Sequence, residues 1–103
     1  MHATVRRYEG VDKTRTDELT KKVSETLLPS LSKLPGFSGY YLIGAENGVM
    51  TSIGLFDNSN QGVDSTRIAS EWIRDEKLES VLPNPPKVTD GEVIVHKTNG
   101  FSA

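Results

Sequence analysis

Along the chain the apolar residues alternate, then recur every fourth position, then alternate again, and each change of period marks an element. His2 to Glu9 sets Val5 and Tyr8 beside the β-tolerant Thr4 and ends at Gly10, the pattern of a strand. From Thr16 the period is helical: Leu19, Val23, Leu27 and Leu31 form a stripe that Leu28 and Leu34 widen. Thr14 or Thr16 is the expected N-cap, with Asp17 and Glu18 in the first turn, where the helix dipole favours carboxylates. Pro29 falls inside the stripe and is expected to kink the helix or begin a looser last segment, and Pro35-Gly36 ends it. Phe37 to Ile43 and Val49 to Phe56 read as strands. The Glu46-Asn47-Gly48 link between them predicts a tight hairpin, because Asn and Gly both accept φ > 0. Asp57-Asn58-Ser59 supplies caps for a second helix over Gln61 to Leu82, with Val63, Ile68, Ala69, Trp72, Ile73, Leu78, Val81 and Leu82 on its apolar face and a break near Lys77. Pro83-Asn84-Pro85-Pro86 lacks the N–H groups of a helix or central strand. A last strand is expected over Glu92 to Thr98, around Val93, Ile94 and Val95.

The order β-α-β-β-α-β is that of an α+β protein, the split unit of the ferredoxin-like fold, with a four-stranded antiparallel sheet. Right-handed crossovers then place the first and third strands centrally and both helices on one face of the sheet. One domain over residues 1–99 is expected, with residues 100–103 a frayed tail. The other sheet face is the informative one. Tyr41 and Ile43 oppose Tyr40 and Leu42, with Phe37 on the side of Tyr41; Val49, Ile53 and Leu55 oppose Met50 and Phe56; Val93 and Val95 oppose Ile94. A sheet apolar on both faces needs two covers, and two helices on one side supply only one. A few hundred Å² of bare apolar surface at about 25 cal/mol per Å² leaves several kcal/mol of burial unrealised. A second copy about a two-fold axis is the simplest cover, so a homodimer through the open sheet face is expected.

Composition narrows the function classes. Twelve Lys plus Arg stand against fourteen Asp plus Glu, for a net charge of -2, so no cationic stripe for nucleic acid exists. With no cysteine, a disulfide framework, a thiolate zinc site, an iron–sulfur cluster and a cysteine nucleophile are all excluded. No apolar run approaches the roughly 20 residues that cross a bilayer, and no basic-then-apolar leader opens the chain, so a cytoplasmic location without membrane contact is expected. His2 and His96 are the only imidazoles, in no metal-binding spacing, and no phosphate loop or Gly-x-Ser-x-Gly elbow occurs.

The sequence resembles the dimeric α/β-barrel superfamily, and within it the antibiotic biosynthesis monooxygenase-like domains, over about residues 2–98. The stretches that carry the resemblance are Arg7-Tyr8-Glu9-Gly10, Leu34-Pro35-Gly36-Phe37-Ser38-Gly39-Tyr40, Leu55-Phe56-Asp57-Asn58 and Ala69-Ser70-Glu71-Trp72-Ile73. The resemblance implies a homodimer whose sheets pack into a barrel, each subunit holding a pocket between its sheet and helices. Activities on this scaffold include cofactor-independent oxygenation of aromatic polyketides, haem degradation and small-molecule isomerisation, so fold alone does not decide function.

By analogy with the haem-degrading branch, Arg6 points into the helix-side pocket. Strand parity places His2, Thr4 and Tyr8 with it, and Ala3 and Val5 on the barrel side. That branch carries a pocket tryptophan, matched by Trp72, and an axial histidine about ten residues later, where this chain has Leu82; its strand asparagine is replaced by Arg6. Haem is therefore not expected, nor any other cofactor or metal. A cofactor-free oxygenase needs a base, an anion stabiliser and exclusion of water. Arg6 suits a phenolate or enolate, Tyr8, Tyr40 or Tyr41 a hydrogen bond to it, and His96 a base near neutral pH. Each also has a plain structural reading: Arg6 paired with Glu92, His96 solvated, the tyrosines packing, and Trp72 a core anchor. The leading reading is a homodimeric monooxygenase-like protein that holds a hydrophobic or aromatic small molecule with Arg6, Tyr8, Tyr41 and Trp72. Arg6 and His96 are its catalytic candidates. It requires a cavity of roughly 300–1,000 Å³ lined by Trp72 and a tyrosine. The alternative is a non-catalytic small-molecule-binding or stress-related accessory domain on the same scaffold.

Overall fold

The computed structural model describes residues 1–97. Its elements are β1 (His2–Tyr8), α1 (Thr16–Lys22), a π-helical turn (Val23–Leu27), α2 (Leu28–Ser32), β2 (Gly39–Ala45), β3 (Val49–Phe56), α3 (Ser59–Asp75) and β4 (Lys87–Glu92). The strands form one antiparallel sheet in the order β2-β3-β1-β4, with β1 and β3 central as the ferredoxin-like reading requires. No helix among the described residues is long and apolar enough to cross a membrane. The end of the expected last strand, Thr98, and the tail at residues 100–103 lie outside the described residues.

Several local features differ from expectation, each for a physical reason. The first helix is entered through a 3₁₀ turn at Lys13–Arg15 capped by Asp12, whose carboxylate accepts from Thr14 N at 3.0 Å. Asp12 has the extended backbone of an N-cap, whereas Thr16 is already helical. The disturbance at Pro29 takes the form of the π-helical turn that precedes it. Pro29 has no N–H to return, and the wider turn closes with Leu28 N on Val23 O. In the hairpin Ala45 pairs with Val49, and of the loop residues only Gly48 has a positive φ, 77°.

Asn58 caps α3 with a reciprocal bond from Gln61, so the helix starts at Ser59. It stops at Asp75 instead of running to Leu82. Lys77 adopts φ 57°, Lys77 N bonds Arg74 O, and Leu78 N bonds Ile73 O at 2.8 Å, a Schellman ending that sets the break where it was expected. Leu78, Val81 and Leu82 reach the core from the following turns, whereas Val63, expected on the apolar face, is turned to solvent and 61% exposed.

The last strand forms over Lys87–Glu92, not over Glu92 to Thr98. Pairing with β1 selects these polar residues: Arg6 faces Val88, Thr4 faces Asp90, and Thr4 Oγ1 donates to Asp90 Oδ1 at 3.0 Å, beside a His2–Asp90 contact. All of β4 is exposed, and its charges protect the sheet edge from further pairing. Val93 N still bonds Met1 O at 2.8 Å, after which Ile94 to Lys97 continue without strand pairing, and Ile94 and Val95 are almost fully exposed.

The register sorts the sheet into two faces. Thr4, Arg6, Tyr8, Met50, Ser52 and Phe56 lie buried under the helices. Ala3, Val5, Ile53 and Leu55 lie half-buried on the open face, with Tyr41 60% and Ile43 51% exposed beside them. Phe37 does not join that face. It precedes β2 and meets Phe56 edge-on, ring centroids 5.9 Å apart, on the helix side.

Candidate functional site

Alternation along β1 turns Arg6 inward at the centre of the sheet, and α3 passes over it. The side chain is only 1% exposed. Its Nη1 donates to Ser65 Oγ at 3.1 Å and, at the long distance of 3.4 Å, to Thr66 Oγ1, both on α3. Glu92, the carboxylate suggested by sequence, faces His2 instead. Among the described residues no carboxylate forms an ion pair with Arg6. Arg6 Nε has no hydrogen-bond partner, and neither has the buried Ser52 Oγ on the neighbouring strand. A guanidinium stays charged at any ordinary pH, and a buried charge without a counter-ion costs several kcal/mol.

Tyr8 and Tyr40 stand beside this charge. Burial pushes both hydroxyls above the usual tyrosine range, and the Arg6 charge only partly opposes it. They therefore remain protonated donors at neutral pH. Around them close Leu19, Val23 and Leu27 from the first helical segment, Met50 from β3, and Trp72 from α3. Trp72 is held by a hydrogen bond from Nε1 to Thr26 Oγ1 at 2.6 Å.

The enclosed space is about 20 Å³, room for a water molecule and not for a substrate. Among the described residues no space of several hundred Å³ is lined by both Trp72 and a tyrosine; a depression of about 260 Å³ on the outer side of Trp72 is walled instead by Thr26, Ile68, Glu71 and Asp75. A larger groove of about 500 Å³ lies next to the enclosed space, between α3, the proline-rich connector and β4, walled by Tyr8, Thr66, Ile73, Leu82, Pro83 and Val88. Tyr8 and Leu82 are common walls of cavity and groove. Thr66, which receives the long bond from Arg6, also lines the groove.

Of the residues singled out by sequence, Arg6, Tyr8 and Trp72 meet at the enclosed cavity. Tyr41 does not: strand alternation sends it to the open face, and Tyr40 takes the inner position. His96 lies in the exposed segment after β4, beyond the sheet that was expected to hold it, and lines neither space. Ser52, Ser65 and Thr66 complete the polar surroundings of Arg6 and were not anticipated. Alternation marks Ser52 as inward, and Ser65 shares the buried side of α3 with Ala69 and Trp72. Haem does not fit these residues. The position that the resemblance implies for its axial ligand is Leu82, which has no lone pair to offer, and the space that Trp72 shares with Arg6 and the tyrosines is too small for a macrocycle.

No protein-family model and no curated protein matches the chain by sequence. Solved structures match it by shape. A candidate antibiotic biosynthesis monooxygenase of Bordetella bronchiseptica superposes with TM-score 0.72 at 16% identity, covering 91% of this chain and 97% of its own. A dimeric ferredoxin-like protein from an uncultured marine organism gives 0.68 at 13% identity, with 96% and 92% covered. A Streptomyces coelicolor monooxygenase in complex with the ligand Nanaomycin D gives 0.66 at 15% identity, with 94% and 92% covered. At these identities the likeness is one of fold. The chain has the ferredoxin-like fold of the antibiotic biosynthesis monooxygenase-like proteins, as its sequence resemblance implies.

Proposed function

We propose that the protein is a cytoplasmic homodimer that binds a hydrophobic or aromatic small molecule between its sheet and helices. The observation that carries the reading is the buried polar cluster of Arg6, Tyr8, Tyr40 and Ser52 in an apolar recess that abuts a groove of about 500 Å³. Ligand sites have this make-up: apolar walls, a few convergent polar groups, and a volume of roughly 300–1,000 Å³. The ligand complex of the Streptomyces coelicolor protein supports small-molecule binding on this fold. The dimer is supported by the apolar strip of Val5, Tyr41, Ile43, Ile53 and Leu55 on the open face, and by the dimeric neighbour of the same fold.

The site chemistry favours binding over catalysis. Proton abstraction near neutral pH needs a carboxylate or an imidazole within reach; the residues lining the enclosed cavity include neither, and the groove offers Glu79 alone, on the turn after α3 and away from Arg6 and Tyr40, which line the cavity and not the groove. Cofactor-independent oxygenation is the second reading, favoured by the monooxygenase of the same fold, and it requires a substrate that arrives already ionised. Titrating aromatic molecules against the fluorescence of Trp72, the single tryptophan, tests the first reading. A saturable change is expected, and no response across hydrophobic, acidic and phenolic aromatics contradicts it. Oxygen uptake with anthrones or quinols tests the second.

A further inference from the structure

The recess over the centre of the sheet has no room for a substrate, but at about 20 Å³ it admits a single small guest. Its polar lining is Arg6 and Tyr8 from β1, Tyr40 from β2 and Ser52 from β3. The other walls are apolar, apart from the Trp72 N–H, which is already spent on Thr26. Arg6 and Ser52 face each other directly across the β1–β3 ladder and are 1% and 2% exposed. Arg6 Nε and Ser52 Oγ nevertheless have no hydrogen-bond partner, because Ser65 and Thr66 take only Nη1, from the α3 side. Two adjacent buried polar groups on the wall of one small space are the mark of an occupied site.

Charge and donor chemistry identify the guest. A water molecule would satisfy both atoms and leave the guanidinium as it was, a permanent charge in an apolar shell. Among the described residues no carboxylate forms an ion pair with Arg6, so a guest of one negative charge supplies what the protein does not. The lining also has protons to give: Nε can only donate, and each of the three hydroxyls carries one proton. Burial keeps both tyrosines protonated, and no carboxylate or side-chain amide lines the recess as an acceptor. The volume then excludes polyatomic anions such as sulfate, phosphate or a carboxylic acid.

We infer that the recess is a halide site, filled by chloride. Arg6 Nε and Ser52 Oγ donate to the ion, and the hydroxyls of Tyr8 and Tyr40 complete its surroundings. The ion is the counter-charge of Arg6 and ties three strands together beneath the helices. The site is separate from the small-molecule reading, since of its four polar residues only Tyr8 also borders the groove.

The experiment melts the full chain, prepared free of halide, in sodium chloride and in sodium gluconate at equal ionic strength and protein concentration. Crystals grown in sodium bromide locate the ion by anomalous scattering. Above the dissociation constant, each tenfold rise in chloride should raise the folding equilibrium constant about tenfold, which is roughly 5 °C or more in melting temperature. Gluconate, too large to enter, should leave the melting temperature nearly level. Bromide should give an anomalous peak within hydrogen-bonding reach of Arg6 Nε and Ser52 Oγ. Arg6→Met should melt alike in the two salts, and in gluconate no lower than the parent, because an unpaired buried charge is replaced by an apolar chain. Ser52→Ala removes one neutral donor and should weaken the response to chloride about fivefold in affinity, which keeps the test open if Arg6→Met fails to fold. Equal melting of the parent in both salts overturns the inference, and so does a recess without anomalous signal. A chloride response with the peak elsewhere assigns the ion to another place and overturns it. A bromide peak without a chloride response means an adventitious ion only, and overturns it as well.

Discussion

Trp72 Nε1 donates to Thr26 Oγ1 at 2.6 Å, fastening α3 to the π-helical turn that closes the space over Arg6. The same hydroxyl donates to Lys22 O at 2.7 Å, so one threonine satisfies the indole and a carbonyl of the disturbed helix together. Trp72 is therefore both a core anchor and a wall of the cavity, and Thr26 holds the lid it leans on.

Thr26→Val keeps the shape and the β-branch but leaves the indole N–H without its acceptor. Thr26 is itself exposed, so the expected cost is that of one ordinary hydrogen bond, about 1 kcal/mol, or roughly 4–8 °C in melting temperature, with an altered Trp72 emission. Thr20→Val, the same change at an exposed position of α1, should leave both nearly unchanged. Equal melting curves for the two variants would show that the bond contributes nothing.

Gly62 inverts the usual helix rule. Replacing a helical glycine by alanine ordinarily stabilises by up to about 1 kcal/mol. A Cβ at Gly62, however, would overlap Thr4 Oγ1 and press on His2 and Asp90, where α3 sits against the sheet. Gly62→Ala should destabilise by about 1–3 kcal/mol. Gly44→Ala, whose Cβ would meet only Met50 Cε at 3.9 Å, should be neutral within about 0.5 kcal/mol. Denaturant titration of the pair checks the contrast.

The two inner tyrosines make an alkaline limit. Burial holds both hydroxyls above the ordinary tyrosine pKa of about 10. The folded state thus favours the protonated form, and the associated stability is complete below pH 10. As pH rises past 10 the unfolded chain ionises first, and stability falls until the folded tyrosines also lose their protons. Melting temperatures measured from pH 8 to 11 should decline in the upper part of that range, and Tyr8→Phe should soften the decline. A flat profile would contradict the burial of these hydroxyls.

The element order was legible because alternation and helical period are local signals, and crossover handedness then set the central strands; the inward direction of Arg6 came from the family resemblance, and strand parity carried Tyr8 with it. β4 was not, since Val93, Ile94 and Val95 carry the stronger strand pattern while partners on β1 select Lys87–Glu92. Strand choice at an edge is decided by what lies across the ladder, and β-propensity carries no knowledge of that. Parity was available for Tyr41 as well: it separates Tyr41 from Tyr40, and the open face receives it accordingly. The closed state of the cavity was beyond the pattern. It depends on a π-helical turn and on how far the first helical segment leans onto Trp72, which a periodic stripe of leucines does not record. Ser52, Ser65 and Thr66 escaped notice because small hydroxyls are common, and only their convergence on one buried cation makes them informative.

The open sheet face is the surface on which the assembly, and the scaffold of the proposed function, depends. Tyr41 and Ile43 are more than half exposed there, with Val5, Ile53 and Leu55 alongside. Sedimentation equilibrium at micromolar concentration measures its fate directly. The expected particle has twice the 11.3 kDa mass of one chain, and Ile43→Asp should return it to one chain without unfolding it. A parent protein that sediments as a single 11.3 kDa chain at that concentration would contradict the covered face and the homodimer built on it.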